Sequence, residues 1–247
     1  GVLLLDVGAE PAALGAAAQE SAGPRGPGLD GTGFDASGAQ GVGLSNVYLS
    51  ALATDGDAIV FAGTYVAEGE SEYDGLVGRL LADGELDSGF SSDGLLAVDG
   101  RAGFDHLRSI ALVPGGRIYV GGNGTLPDGS NSDFYLLALN SNGSPVSNFG
   151  IDGLVWIDFE GAGADSPDQE NGGIALLSDG RVVLAGSART GPGAATSAAL
   201  AMIRPDGSLD PGFGTGGRLV DGARAGYQGI VAQGNGRFVL AAIGPYP

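Results

Sequence analysis

The chain has 247 residues, 43% of them hydrophobic, with 49 glycines and no cysteine; this supplies a core and argues against wholesale disorder, and the lack of a three-residue glycine period excludes collagen. The formal net charge is −18 and all 11 basic residues are Arg, so nucleic acid and anionic membrane surfaces are disfavoured as partners, cations and basic partners are favoured, and the simplest use of the charge is to keep an apolar β-protein soluble. No disulfide can form and no apolar run approaches membrane-spanning length.

In chain order, the first apolar run is "VLLLDV", too short for a signal peptide and interrupted by Asp6. An Ala- and Pro-rich stretch follows at 9–28. Its core, 11–21, suits a short helix, while its Pro-Gly flanks suit an excursion from the sheet. Next comes "GLDGTGF", ending at Phe34. Then a pattern starts over. A hairpin-like piece, "ALATDGDAIVFAG", begins at Ala51 and is followed by a polar loop. A third apolar run, "GLVGRLLA", leads into "LADGELDSGF" (81–90) and a fourth run, "GLLAV". The same order returns with "ALVPGGRIYVGG" from Ala111, "FYLLALN", "SNGSPVSNF" and "GLVWIDF". It returns again with "ALLSDGRVVLAG" from Ala175, "AALAMIR", "RPDGSLDPGF" and "GRLV". The chain closes on "VAQGNGRFVLAA" from Val231.

Two markers keep the same phase. The hairpins recur at Ala51, Ala111, Ala175 and Val231, and the motif phenylalanine at Phe34, Phe90, Phe149 and Phe213, with steps of 56 to 64 residues. A period of this length signals an array of supersecondary units. Each unit holds four short apolar runs separated by Gly-bearing turns such as Asp55-Gly56, Asp179-Gly180 and Asn235-Gly236, which supply the positive φ of tight hairpins. "AIVF", "IYV", "VVLA" and "FVLAA" do not alternate apolar with polar, so both faces of each sheet are expected to be covered. Four-stranded antiparallel sheets buried on both faces are blades of a β-propeller; a two-sheet sandwich would leave its outer faces polar.

"ALLSDGRVVLAGS" followed by "AALAMIRPDGSLDPGFGTGGRLV" resembles the delta-60 repeat family of bacterial proteins, across roughly 45–243. The resemblance implies a β-propeller in a secreted or surface-exposed protein, and it brings no catalytic residues. It is weaker in the middle unit, where "SNGSPVSNFGIDG" lacks the Leu-Asp pair. The family's Arg, five residues before the motif glycine, is matched by Arg79, while Ala138 and Met202 depart from it.

The reading is therefore an all-β, single-domain propeller of four-stranded antiparallel blades over 1–247. The units span approximately 45–104, 105–167 and 168–224, and a fourth, shared blade is built from 225–247 plus 1–44, with an insertion at 9–28. Joining the termini in one blade removes open sheet edges. A larger ring, or completion of one subunit by another, is the alternative.

The repeated motif has a structural explanation. Gly84 and Gly207 make the turn after strand three, Asp87 and Asp210 are placed to accept a backbone N–H just downstream, and Phe90, Phe149 and Phe213 plug the base of each blade. Hairpin and motif turns share one face of the ring. The other face receives loops that differ from unit to unit, and a rigid scaffold with divergent loops is where binding is expected. The ligand-contact candidates on that face are Tyr65, Glu68, Glu70, Glu72, Tyr73, Asp74, Asp105, His106, Asp165, Asp168 and Tyr227. A Ca²⁺ option exists at Asp158, Glu160, Asp165 and Asp168, with Glu170 nearby, although no spacing matches a known calcium loop and solvated charge is the favoured explanation of these acids. No other cofactor is expected.

His106 is the single His and follows Asp105, but no G-x-S-x-G elbow exists to make a nucleophile for it. Trp156 suits the core, or a sugar-stacking platform. No catalytic residue is assigned. Three functional readings remain open: a secreted or cell-surface, non-enzymatic binding module for a protein or carbohydrate partner; a hydrolase or lyase using acids on the loop face; and a subunit of an extracellular filament, homo-oligomer or larger assembly. The module reading expects no ordered carboxylate cluster around a pocket. The enzyme reading requires at least two converging carboxylates in a cleft, or a bound metal.

Overall fold

A computed structural model describes residues 3–4, 40–41, 47–66, 73–100, 103–113, 116–125, 132–159, 170–189, 191, 194–234 and 236–244. Among them there is no helix, and the proposed helical stretch 11–21 lies outside the described residues. Two short strands come first: β1 (Leu3–Leu4) and β2 (Gln40–Gly41). The first blade contains β3 (Val47–Asp55), β4 (Ala58–Tyr65), β5 (Asp74–Leu80) and β6 (Leu95–Val98). The second contains β7 (Asp105–Leu112), β8 (Ile118–Thr125), β9 (Ser132–Leu139) and β10 (Leu154–Ile157). The third contains β11 (Glu170–Leu176), β12 (Val182–Ala188), β13 (Ser197–Ile203) and β14 (Arg218–Asp221). A final pair follows, β15 (Gly226–Ala232) and β16 (Phe238–Ile243). Each blade is a four-stranded antiparallel sheet in sequence order. The first strands of successive blades pack side by side, β3 on β7, β7 on β11 and β11 on β15. This is β-propeller architecture.

The middle strands are buried on both faces because each face meets a different blade. In β9, Tyr135, Leu137 and Leu139 join Val60, Ala62, Val77 and Leu107 in the seam with the first blade. Phe134, Leu136 and Ala138 join Val182, Leu184 and Ala199 in the seam with the third. The pattern changes at the ends of the array. β16 alternates half-buried with exposed over much of its length, contrary to the both-faces-buried expectation for "FVLAA", and β3 alternates likewise. Among the described residues, β1–β2 and β15–β16 are separate two-stranded sheets.

The motif turns interlock the blades. Phe90 and Phe149 are fully buried. The Ser91 N–H donates to the Asn142 carbonyl of the next blade's turn at 2.9 Å, and the Gly150 N–H to the Asp206 carbonyl at 3.1 Å. Gly207 has φ +86°, and a Cβ there would press into the Gly150 backbone, so this position takes glycine for two independent reasons. The expected Asx turns form: Asp87 accepts the Gly89 N–H at 2.9 Å and Asp210 the Gly212 N–H at 3.1 Å.

The same joint is charged in two blades and apolar in one. In the first, Arg79 lies 3.3 Å from Asp87 and 3.6 Å from Asp55, tying motif turn to hairpin turn. In the third blade Met202 occupies the place of Arg79. The cations come instead from Arg181, just before the neighbouring β12 and 2.8 Å from both Asp210 and Asp179, and from Arg204, 3.3 Å from Asp210. In the second blade Ala138 and Val146 replace the Arg and the Asp together, and Val146 joins the core. Removing both partners leaves no buried charge unpaired, whereas removing one would.

One feature had no sequence signal. The first strand of every unit is irregular at the same point, with register shifts between Leu49/Ala51, Leu107/Ser109, Asn171/Gly173 and Tyr227/Gly229. These bulges lie where the inner strands approach each other. The Ser50 hydroxyl donates to the Leu107 carbonyl of the next blade, and a Cβ at Gly172 would meet the Tyr227 carbonyl.

Two predictions follow from these joints. Phe149→Ala should lower stability by about 3–5 kcal/mol in urea denaturation, and Phe213→Ala, already half-exposed, by less. The Arg181 guanidinium holds the Asp210 and Asp179 carboxyls below their usual range, with the Gly212 N–H assisting at Asp210. Their contribution is present above the unfolded-chain pKa and lost as pH falls through the lowered folded values. Asp210→Asn should therefore lose less Tm than the parent between about pH 6 and about pH 3.

Candidate functional site

The loop face is organised at the seam between the first and second blades, where three strand ends meet. β5 begins at Asp74, β6 ends one residue before Asp99, and β7 begins at Asp105. A carboxylate oxygen from each of Asp74, Asp99 and Asp105 lies within 4.8 Å of the others. Strand pairing fixes this geometry. The Asp105 N–H donates to the Tyr73 carbonyl at 2.7 Å, binding the start of β7 to the start of β5, and Asp105 Oδ2 accepts the Gly100 N–H at 2.7 Å. Asp99 is exposed, Asp74 half-buried and Asp105 only 1% exposed, so the cluster runs from solvent into the seam. Ionised carboxylates this close repel by about 3 kcal/mol per pair at an effective dielectric near 20, and by less where water reaches Asp99.

Behind the acids lies an aromatic wall. The Tyr135 and Trp156 rings are 4.9 Å apart. The edge of Trp156 and the Asp105 carboxylate together fill the space a side chain would need at Gly100 or Gly124; a Cβ at either glycine would come 2.7 Å from the indole. Asp105, Gly124 and Asp133 stand in register across β7, β8 and β9, and Asp133 is also buried. Tyr135 is fully buried, and among the described residues its hydroxyl has no hydrogen-bond partner. Burial, reinforced by the charges of Asp105 and Asp74, pushes its phenol well above the usual value, so it stays a neutral O–H.

In front of the acids is a second group of rings. Tyr73 sits 6.4 Å from Tyr48, 5.8 Å from Phe104 and 5.9 Å from His106, centre to centre. Tyr48 is 66% exposed and Phe104 also reaches solvent. His106 Nδ1 lies 3.4 Å from the Thr64 hydroxyl. The loop face thus presents aromatic surface beside concentrated negative charge.

Of the residues singled out from sequence, Asp74, Tyr73, Asp105 and His106 come together here. Tyr65, at the end of β4, pairs in register with Asp74 and packs on the first blade's core. Tyr227 does not join them. It lies in β15, largely buried, and its hydroxyl donates to Asp221 at 3.0 Å. Asp158 follows β10 in the second blade, while Glu68, Glu70, Glu72, Glu160, Asp165 and Asp168 lie outside the described residues, as does the side chain of Glu170. Trp156 is a seam residue, half-buried against Tyr135. Sequence reading missed Asp99, Tyr48, Phe104, Thr64 and Tyr135. A signal for Asp99 existed: an Asp follows or closes the fourth strand of every unit, at Asp99, Asp158 and Asp221. At the third blade Asp221 is matched by Arg224 and Tyr227.

Fold and repeat together define a β-propeller protein. Residues 114–149 and 177–213 match the sequence signature of a β-propeller domain of unknown function, DUF5122. No curated protein matches the chain. Among solved structures, similarity extends to Trypanosoma rangeli sialidase in complex with sialic acid, at 13% identity and a TM-score of 0.46, over 80% of this chain and 34% of that one. It extends also to an exo-1,5-α-L-arabinanase from a bovine ruminal metagenomic library, at 11% identity and a TM-score of 0.39, over 77% of this chain and 66% of that one. The chain spans about a third of the sialidase and just under two thirds of the arabinanase. No helix among the described residues is long and apolar enough to cross a membrane.

Gly124→Ala tests the packing of the acids against the wall. The added methyl group should displace the indole or Asp105, shift the emission of the single Trp156, and lower stability by about 1–3 kcal/mol.

Proposed function

We propose that the chain is a non-enzymatic binding module that engages a protein or carbohydrate partner through the loop face at the seam of its first two blades. The supporting observation is the pairing of Tyr48, Tyr73 and Phe104 with the carboxylates of Asp74, Asp99 and Asp105. Exposed ring faces stack on sugars or cationic side chains, and carboxylates accept hydrogen bonds from hydroxyls or pair with Arg and Lys. The net charge of −18 favours encounter with basic partners. The resemblance of the repeats to the delta-60 family supports a secreted or surface-exposed setting. The convergence of three carboxylates, where the module reading expects no ordered carboxylate cluster around a pocket, favours a hydrolase as the second reading. Both are tested with the immobilised chain on a glycan array and against Arg-rich peptides. Capture should fall at least tenfold in Tyr73→Ala and Tyr48→Ala. Capture unaffected by either substitution counts against this face, and turnover of chromogenic glycosides that disappears in Asp105→Asn counts for the hydrolase.

Presenting such a face rigidly needs a completed ring, and we propose that the N-terminal strands complete the last blade. β1 pairs with β2 antiparallel, Leu4 opposite Gln40. In complete blades the third and fourth strands pair the same way, and the residue six past the motif phenylalanine faces the middle of strand three: Leu96 opposite Val77, Val155 opposite Leu136 and Leu219 opposite Leu200. Gln40 stands six past Phe34. β1–β2 thus has the pairing of an outer half-blade, and β15–β16 that of an inner one. Extending the register places Ala241 opposite Leu4. The chain is free of cysteine, so Leu4→Cys with Ala241→Cys should oxidise to an intramolecular disulfide, seen as a non-reducing gel shift of the monomer. The assembly reading is supported by the exposed apolar pair Val231 and Val239, which face each other across β15–β16. It requires cross-linking between copies and a solution mass that rises above 24.3 kDa with concentration.

A further inference from the structure

We propose that Asp74, Asp99 and Asp105 are the carboxylate ligands of a Ca²⁺ site at the seam of the first two blades, with the Tyr135 hydroxyl hydrogen-bonded to a cation-bound water. This deepens the binding-module reading and rests on the same face. The ligand geometry is the first ground. Two oxygens on one Ca²⁺ can be no farther apart than twice a bond of about 2.4 Å. All three carboxylates offer oxygens within 4.8 Å of one another, so one ion can reach all of them without rearrangement of the strands. The three acids come from three strand ends, and β-pairing and the Asp105–Tyr73 hydrogen bond hold two of those ends together before any ion arrives.

The second ground is independent of the acids. Tyr135 is fully buried, and among the described residues its hydroxyl has no hydrogen-bond partner. A buried, unsatisfied hydroxyl is unfavourable, and most such groups in proteins are satisfied by protein or water. Its ring is held against Trp156, and the indole and the Asp105 carboxylate both border the space beside Gly100 and Gly124, while Asp105 and Asp74 are the charges that act on the phenol. A water in the inner sphere of a cation is held in place and polarised, and its oxygen or hydrogens would satisfy the hydroxyl. Oxygen-only donors, no cysteine in the chain and a single histidine favour a hard cation over zinc or copper. Ca²⁺, which takes 6–8 oxygens in flexible geometry, accommodates three carboxylates plus waters more readily than Mg²⁺.

Because the ion would join the ends of β5, β6 and β7, it would staple the first blade to the second and set the loop face on which Tyr48, Tyr73 and Phe104 lie. The test uses the full chain stripped with EDTA and titrated with CaCl₂. Calorimetry should show one saturable site, thermal unfolding should shift upward with Ca²⁺, and Tb³⁺ should give luminescence sensitised through Trp156. Asp99→Asn, at the exposed ligand, should weaken binding at least tenfold with the fold intact. Asp105→Asn should do so more strongly, and if burial of that position prevents folding, Asp99→Asn decides alone. Tyr135→Phe should be at least as stable as the parent in EDTA, since it removes the unsatisfied hydroxyl, yet gain less from Ca²⁺. Absence of saturable binding in the parent, or Asp99→Asn binding with parental affinity, overturns the proposal and leaves the acids to the chain's own cations. Cation binding is read with no partner present. Its failure leaves partner capture standing, and partner capture that fails with Ca²⁺ bound overturns the module reading alone.

Discussion

The fold depends on one constraint: every internal sheet is apolar on both sides and must be covered twice. A single four-stranded sheet with Tyr135, Leu137 and Leu139 on one face and Phe134, Leu136 and Ala138 on the other has no stable existence in water. It needs a neighbour on each flank, and those neighbours need neighbours in turn. Phe90 and Phe149 convert this requirement into a defined spacing, because each is buried at the joint with the next blade and the residue after it donates a backbone hydrogen bond to that blade's motif turn. Where the succession of blades stops, burial declines, as in β3 and β16.

The site is a by-product of the same packing. Blades fan outward from inner strands that nearly touch, so strand ends from two blades converge at the loop face of each seam. Acids at the start of strand three, the end of strand four and the start of the next blade are then forced together. Glycine at 100 and 124 makes room for a carboxylate and an indole that no larger residue would admit. The third blade shows the alternative outcome for its strand-four acid. There Arg224 and Tyr227 engage Asp221, and the tyrosine is drawn into the seam rather than left on the surface.

The turn face shows how a repeated joint tolerates change. Arg79 lies in β5 and Arg181 just before β12, yet they reach the same kind of aspartate, and the middle blade replaces both charges with Ala138 and Val146. What persists is the backbone hydrogen bond beneath, from residue 87 to 79, from 146 to 138 and from 210 to 202, at 2.8–2.9 Å. Side-chain chemistry at this joint is interchangeable, and the backbone geometry it decorates is not.

The period, the four runs per unit, the turn glycines and the lack of alternation in "IYV" and "VVLA" are local properties, and they determined the all-β class and the four-stranded blade. Local patterns also marked Asp74, Asp105 and His106, because loops that vary between units stand out against a repeat. Tertiary structure alone decided that Asp99 meets Asp74 and Asp105, that Tyr135 ends beside them, and that Tyr227 is withdrawn to Asp221. Residues 74, 105 and 135 lie in three strands and residue 99 follows a fourth, across two blades, and only the angle at which the sheets pack brings their side chains within reach. The central bulges were equally invisible in sequence, since they answer to the crowding of inner strands around an axis that no single strand encodes.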